Sequence, residues 1–290
     1  MEEKLQYHVI SIKDKDLMKR YTDVWNLESS GYSFTTAFIW GSDGAVRIAE
    51  QDDVLYLCGH YAQPMLFAPL SLRPEVYGEA IRVAAADWEQ GGREAVFYGV
   101  TDELAPYFEA AGYTLTADRN NADYVYSAQS LITLKGKAYH GKRNHINRFL
   151  ESYTFAYEPL TPDMMDACMT VYDEWMAEKA EEFAAERRAT VHALSHMDEL
   201  GLKGGVIRVD GALTAFTIGE RLRPDMALIH IEKAVDIPGM FPLINREFLA
   251  HEFADVQYVN REEDMGLPGL RRAKESYAPV RMINKYIARR

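Results

Sequence analysis

At 290 residues with 48% hydrophobic content, the chain is long enough for two domains with packed cores and too apolar to be disordered. A formal charge of -12 excludes a general nucleic-acid coat protein, although a local basic patch still accommodates a phosphate backbone. Two cysteines far apart in sequence, Cys58 and Cys168, exclude a disulfide framework and a thiolate metal centre; with a charged N-terminal run and no apolar stretch of membrane-spanning length, they point to a soluble cytoplasmic protein.

In chain order, the spacing of Leu17, Tyr21, Val24 and Trp25 predicts a helix over 14–30. The next segment, SSGYSFTTAFIWGSDGA, reads as a loop. Its Tyr32, Phe34, Phe38 and Trp40 either form the lip of a pocket or pack beneath a long loop, and Trp40 is carried forward as a candidate binding residue. Strands follow over 45–49, 54–58 and 65–68, the first two joined by a tight turn across Gln51, Asp52 and Asp53. Pro74 opens a helix lined by Val76, Ala80, Ile81, Ala84 and Trp88, and Gly91-Gly92 closes it. A strand over 95–100, a helix over 102–111 and strands over 113–118 and 124–134 complete the first half.

The second half repeats that order of elements without a residue-level repeat, as an old duplication would. A long helical region over 162–196 carries Tyr172, Trp175, Met176, Ala180 and Phe183 on its apolar side. A strand over 206–210, a tight turn at Asp210-Gly211 and a strand over 213–220 form a hairpin. The strand MALIHIEKA over 226–234, a helix over 242–253, a strand over 256–260, a helix beginning near Gly266 and Pro268, and a final strand over 280–288 follow.

Three stretches carry chemistry. The strand-to-helix junction VQYVNREEDMGLPGLRRAKESYAP sets Asn260, Arg261, Glu262, Glu263 and Asp264 at the carboxyl end of a strand, where open α/β folds bind ligands. The same acidic run would also complement the dipole of the following helix. The basic segment GKAYHGKRNHINRF, if helical, places Lys142, His145, Ile146 and Phe149 on one side and spreads Arg143, Asn144, Asn147 and Arg148 over the rest. It reads as an anion site for the phosphates of a tRNA acceptor stem, a phospholipid headgroup or a nucleotide, with Arg143 the first choice for a bidentate contact, or as a solvated basic helix between domains. On MALIHIEKA, alternation puts His230 and Glu232 on one face. Glu232 there is a candidate general base for an attacking amine, or simply a partner for a basic residue. No H-E-x-x-H, paired CxxC, G-x-x-x-x-G-K-[ST], G-x-G-x-x-G or G-x-S-x-G occurs, so the chain offers acid/base residues and anion sites rather than a nucleophile.

The order of helices, three-stranded antiparallel meander, helix, strand, helix and strand resembles the GNAT superfamily of N-acyltransferases. With YSFTTAFIW over 32–40, the stretches LKGKAYHGKRNHINRF over 134–149 and NREEDMGLPGLRRAKESYAP over 260–279 resemble the DUF2156 family. That family is similar to the catalytic C-terminal domain of phosphatidylglycerol lysyltransferase and, more distantly, to the FemABX aminoacyltransferases. The resemblance implies a mixed α/β (α+β) fold of two tandem GNAT-like, acyl-CoA N-acyltransferase-type domains, 1–135 and 136–290, packed around an inter-domain cleft shared by the basic connector and the acidic junction. It implies an acyltransferase, passing an aminoacyl group from aminoacyl-tRNA to a lipid headgroup or another small acceptor. An acyl-CoA-dependent N-acyltransferase acting on a small amine is the alternative, and a non-catalytic binding module on the same fold a second. No metal and no resident cofactor is expected; aminoacyl-tRNA or acyl-CoA is the donor, and a phospholipid headgroup or small amine the acceptor. The chain departs from the lysyltransferases in lacking a membrane-embedded flippase segment.

By analogy with FemABX enzymes, Lys274 would stabilise the charge developing in acyl transfer, and Tyr277 would donate a proton to the leaving group or else pack on the core. With Glu232 these are the candidate catalytic residues. Lys142, Arg143, Asn144, His145, Arg148, Asn260, Arg261, Glu262, Glu263, Asp264 and Trp40 are the candidates for substrate binding. The Q/R-x-x-G-x-G/A loop with which acetyl-CoA enzymes cradle pyrophosphate has no match: the corresponding points read APLSLRPEVYG and DIPGMFPLINREF, and Pro238 and Pro242 remove two donors from the latter.

Overall fold

The computed structural model describes residues 4–41, 43–60, 63–177 and 184–290; Ala180 and Phe183 lie outside them. By internal contacts the chain divides into Met1–Ala122 with Ile283–Arg290, and Asp123–Met282. The reading of the sequence drew the boundary at 135/136. The division falls earlier because Tyr124, Tyr126, Ala128, Leu131 and Leu134 are buried in the second unit's core.

In the first unit the order is β1 (His8–Val9), α1 (Lys15–Trp25), α2 (Phe34–Gly41), β2 (Val46–Gln51), β3 (Val54–His60), β4 (Pro64–Phe67), β5 (Leu70–Ser71), α3 (Tyr77–Gln90), β6 (Phe97–Thr101), α4 (Ala105–Ala110) and β7 (Thr114–Ala117). Asp52 and Asp53 both take left-handed φ, +54° and +61°, and so close the two-residue turn between β2 and β3. The segment expected to be an aromatic loop is helical over α2: the Ser33 hydroxyl accepts the Thr36 N–H at 3.2 Å, and Thr35, Ala37, Phe38, Ile39 and Gly41 are buried. A helix buried nearly all round shows no amphipathic period, so its sequence reads as irregular.

In the second unit the order is β8 (Asp123–Ser127), α5 (Ala128–Thr133), α6 (His140–Ser152), β9 (Phe155–Pro159), α7 (Met165–Met176), α8 (Ala184–Ser195), α9 (Met197–Leu200), β10 (Lys203–Val209), β11 (Ala212–Arg223), β12 (Met226–Ala234), α10 (Met240–Glu252), β13 (Tyr258–Asn260), α11 (Pro268–Glu275) and β14 (Arg281–Ile283). The strand expected over 124–134 stops at Ser127, whose hydroxyl accepts the Ser130 N–H at 3.3 Å and caps α5. The helix expected over 162–196 is a short 3-10 turn and α7, then α8; α7 ends at Met176. The final strand expected over 280–288 is two strands, β14 and β15 (Lys285–Arg289).

Each unit holds one sheet, in the orders β1-β2-β3-β4-β6-β15-β7, with β5 on β3, and β14-β8-β13-β12-β11-β10-β9. Both contain an antiparallel run of four strands and then a parallel neighbour, β6 on β4 and β13 on β12. The next strand in each is antiparallel and comes from the other half of the sequence. The tail supplies β15 to the first sheet, and the segment following β7 supplies β8 to the second. Lys285 and Ala288 of β15 are buried in the first unit, so the last residues of the chain complete its core.

Removing Ile283–Arg290 would leave β6 and β7 with unpaired edges in place of a shared neighbour. At about 1 kcal/mol per lost ladder hydrogen bond, the first unit is expected to lose most of its stability. Amide hydrogen exchange checks this: β6 and β7 should lose protection, and unchanged protection over Phe97–Thr101 would show β15 to be dispensable.

Candidate active site

The second sheet opens at one place. β12 and β13 pair in parallel only through Met226–Leu228 and Tyr258–Asn260; β13 then ends while β12 continues to Ala234. Along its other edge β12 carries a bulge, since Ile218 faces Ile231 and Gly219 faces Ile229, leaving His230 as the extra residue. Gly219 is obligatory there, because a Cβ would lie 2.6 Å from the Leu228 carbonyl oxygen.

The bulge buries the His230 side chain, 1% exposed, between two carboxylates. Nδ1 lies 3.0 Å from Glu262 Oε1 and Nε2 lies 3.1 Å from Glu220 Oε1. Burial alone would depress the imidazole pKa, but its hydrogen bonds to Glu220 and Glu262, and their charge, raise it to about 9. The group is an imidazolium at neutral pH.

Two residues along β12, Glu232 accepts from Arg261 Nη2 at 2.8 Å and from Asn245 Nδ2 of α10 at 2.9 Å. The Arg261 guanidinium lies 4.7 Å from the Tyr277 ring centroid and 5.8 Å from that of Tyr126. Lys142 of α6 reaches the same ring, its Nζ 4.0 Å from the centroid and 2.7 Å from Ser276 Oγ. Burial, then the charge of Arg261, lowers the Lys142 pKa, while burial raises that of Tyr277 and keeps its hydroxyl protonated. The basic connector and the tail junction, expected to meet in a crevice between the halves, thus meet inside the second unit.

Within the acidic run, Glu262 is engaged by His230 and Asp264 by Tyr124 and Arg271. Asn260 donates to Asp123 at 3.1 Å and accepts the Glu262 N–H at 2.7 Å, holding Glu262 at a left-handed φ of +58°. Lys274 donates to the carbonyls of Arg261 and Glu263, each at 2.5 Å, and burial lowers its pKa to about 8. Asp264 accepts from Tyr124 at 2.6 Å, from two Arg271 nitrogens at 2.9 Å and from the Gly266 N–H at 2.8 Å. Although burial opposes it, these bonds hold its carboxyl well below the usual carboxylate range. Lys274 therefore spends hydrogen bonds on main-chain carbonyls of the loop that presents Arg261.

Arg143, expected to make the bidentate phosphate contact, donates Nη1 to the carbonyls of Leu134 and Gly136 and ties down the connection before α6. Asn144 pairs with His140 at 3.1 Å, while His145 and Arg148 are exposed on α6. Trp40 is half-buried on α2 of the first unit. Glu220 and Asn245 escaped the sequence reading, one sitting on a strand edge and the other among the apolar positions of α10, with no local signal of a polar partner. Ahead of α10, a Cβ on Gly239 would meet the His145 carbonyl oxygen at 2.6 Å, so α6 lies directly against this helix start. The Met240 N–H is spent on the Ile237 carbonyl at 3.0 Å, and Pro242 has none.

This architecture, two units each with an antiparallel meander that passes to a parallel neighbour, is the tandem GNAT fold of acyltransferases. A tandem GNAT protein from the clavulanic acid biosynthesis pathway shares it at a TM-score of 0.52 and 11% identity, over 98% of both chains. The family described as phosphatidylglycerol lysyltransferase, C-terminal, matches residues 24–289, and the chain belongs to that family, among the acyltransferases. A conserved protein of unknown function from Bacteroides thetaiotaomicron VPI-5482 is 32% identical, with a TM-score of 0.87 over 98% of this chain and 99% of that one. L-PGS from Bacillus licheniformis is 19% identical, with a TM-score of 0.69 over 96% of this chain and 92% of that one. No curated protein matches. Among the described residues, no helix is long and apolar enough to cross a membrane.

The His230 clamp has a pH signature. Its folded pKa of about 9 lies above the ordinary 6.5, so its contribution is complete below pH 6.5 and lost as pH rises through 9. Integrated, that is on the order of 3 kcal/mol. Lys274, with a lowered pKa, runs the other way and gains as pH rises above about 8. Urea midpoints of wild type and His230→Gln should differ most below pH 6.5 and converge by pH 9; a pH-independent gap would refute the buried imidazolium.

Proposed function

We propose that the chain transfers an aminoacyl group from aminoacyl-tRNA to a lipid headgroup or another small acceptor, with the reaction centre in the wedge between β12 and β13. The observation that carries this reading is the start of α10. That is the position where acyl-CoA enzymes cradle pyrophosphate, and here α6 lies against Gly239 while Met240 and Pro242 offer no free N–H. A CoA pyrophosphate fits these residues poorly, whereas an aminoacyl ester needs no such cradle. Membership of a family described by phosphatidylglycerol lysyltransferase supports the same donor and acceptor classes.

In the reaction so read, an acceptor hydroxyl or amine attacks the ester carbonyl, the bond to the ribose oxygen of the tRNA breaks, and the acceptor's proton passes to that oxygen. Arg261 and Lys142 stabilise the oxyanion, and Tyr277 supplies the leaving group with a proton that the acceptor's own replaces. Glu232, engaged by Arg261 and Asn245, holds the guanidinium in place. Lys274 and the His230 clamp fix the loop that carries Arg261. The basic face of α6, with exposed His145 and Arg148, is suited to tRNA phosphates.

The test measures transfer of labelled aminoacyl groups from charged tRNA to phosphatidylglycerol vesicles and to small amines, with acyl-CoA thioesters in parallel. Arg261→Met should slow transfer by about 100-fold, with Tyr277→Phe falling less. Turnover of a CoA thioester without any use of aminoacyl-tRNA would replace this reading with the acyl-CoA N-acyltransferase.

A further inference from the structure

We propose that Lys142 is an acylation site: its amine, held over the Tyr277 ring with a hydroxyl for a partner, attacks small activated acyl donors of the acyl phosphate class. The inference goes beyond the acyl-transfer reading, because here the chain's own amine is the acceptor.

Lys142 Nζ donates to Ser276 Oγ at 2.7 Å and lies 4.0 Å from the Tyr277 ring centroid, and among the described residues no carboxylate comes within ion-pair distance of it. Other lysines withdrawn from water are committed or enclosed. Lys233 is buried against Glu186 at 2.7 Å, Lys274 donates to two carbonyls, and Lys285 is buried in the first unit. Lys142 is half-buried, so part of its side chain stays open to solvent. Ser276 turns its own proton to the Ala273 carbonyl at 2.6 Å and therefore faces Lys142 with a lone pair. A neutral amine satisfies that oxygen as an ammonium does, and it keeps a lone pair of its own for attack.

The charges around Lys142 favour that neutral form. The Arg261 guanidinium lies 4.7 Å from the same ring centroid, is fixed by Glu232 at 2.8 Å and keeps its proton at any working pH. With two cations on one ring, the proton that leaves is the lysine's. Burial first, and then Arg261, lowers the Lys142 pKa; Glu232, already engaged by Arg261 and Asn245, opposes them. On α6 itself, Arg143 turns to the carbonyls of Leu134 and Gly136, and His145 is exposed. A lysine amine desolvated beside another cation is the arrangement that makes a nucleophile near neutral pH. The donor class follows from charge and size: an acyl phosphate is small and anionic, as a half-buried amine beside a guanidinium requires. In the step, the Nζ lone pair attacks the acyl carbon, the bond from that carbon to the phosphate oxygen breaks, phosphate leaves with the electron pair, and the surplus proton on nitrogen passes to water. The product is a neutral amide, which loses the attraction of an ammonium for the Tyr277 face.

The experiment incubates the full chain with acetyl phosphate near neutral pH and follows each acetyl-lysine by peptide mass spectrometry. Lys142 should be modified at least about 5-fold faster than the exposed Lys135 and Lys137 of the same segment. That ratio should narrow toward about pH 10, where ordinary lysine amines also lose their protons. In Lys142→Arg the fast site should vanish while Lys135 and Lys137 keep their rates. Modification of Lys142 no faster than that of Lys135 and Lys137, or a ratio that does not fall as pH rises, would overturn the inference. Both outcomes are read on the wild-type chain, so neither depends on a variant folding. Labelling is measured without tRNA or an added acceptor. Failure of the acyl-transfer reading therefore leaves a fast Lys142 standing, and a slow Lys142 leaves the acyl-transfer reading untouched.

Discussion

Where two parallel strands part, their facing backbone groups and side chains must find other partners, and this constraint organises the second unit. Beyond Leu228 and Asn260 the gap between β12 and β13 is spanned by side chains rather than by a ladder. Glu232 bridges it to Arg261 and His230 bridges it to Glu262. Either bond made alone would leave a charge buried without its counter-ion, at a cost of several kcal/mol. The bulge at His230 and the glycine opposite it exist so that both bridges can form from one strand.

The two units share a strand plan but not a site. In the first, β4 and β6 also run parallel briefly, through Leu66–Phe67 and Phe97–Tyr98. At the end of β6, however, Thr101 faces Lys285 of the returning tail, whose ammonium lies 3.3 Å from Ser30 Oγ. Hydroxyls, Lys285 and the Asp102 carboxylate, which accepts from Tyr286 and Asn284, stand where the second unit pairs carboxylates with a guanidinium and an imidazolium. The backbone order is common to both units, and the exchange of β8 and β15 ties each sheet to the other half of the sequence, while the wedge chemistry described above belongs to the second.

Much of this was legible in the chain. The turns at Asp52-Asp53 and Asp210-Gly211 were read from residues that tolerate left-handed φ, and the structure gives all four that conformation. MALIHIEKA is β12 to the residue, because its alternation and its β-branched residues agree. The errors share a cause. Helix α2 is buried on more than one side, and α5 is only six residues long, so periodicity has little to report in either. The division of the final strand at Asn284 depends on which sheet has a free edge, a tertiary fact. At the junction the polar residue types are legible in the sequence, but their partners are not. Glu220, Asn245 and Asp123 lie 10 to 137 positions away from the groups they hold, and only folding brings them close. Arg143 illustrates the complementary point: a guanidinium in a basic stretch looks free in sequence, while in the fold its Nη1 is claimed by the carbonyls of Leu134 and Gly136.

Burying so many charges makes sense only if order in the loop is worth more than stability. A carboxylate and a guanidinium taken out of water recover little of their desolvation cost from mutual attraction, yet they admit few alternative arrangements. The loop at 260–266 is held by three clamps of this kind: His230 on Glu262, Lys274 on two carbonyls, and Arg271 with Tyr124 on Asp264. Two of them titrate. Below pH 8 both His230 and Lys274 carry charge, and every clamp is engaged. Between 8 and 9 Lys274 gives up its charge but keeps two N–H groups for its two carbonyls, whereas above 9 a neutral His230 has only one N–H for two carboxylates. The Asp264 clamp persists across this whole range, so the loop remains anchored at its far end while the His230 bridge to Glu262 weakens above about 9. Order in the loop that carries Arg261 is thus greatest while His230 keeps its charge, below about pH 9.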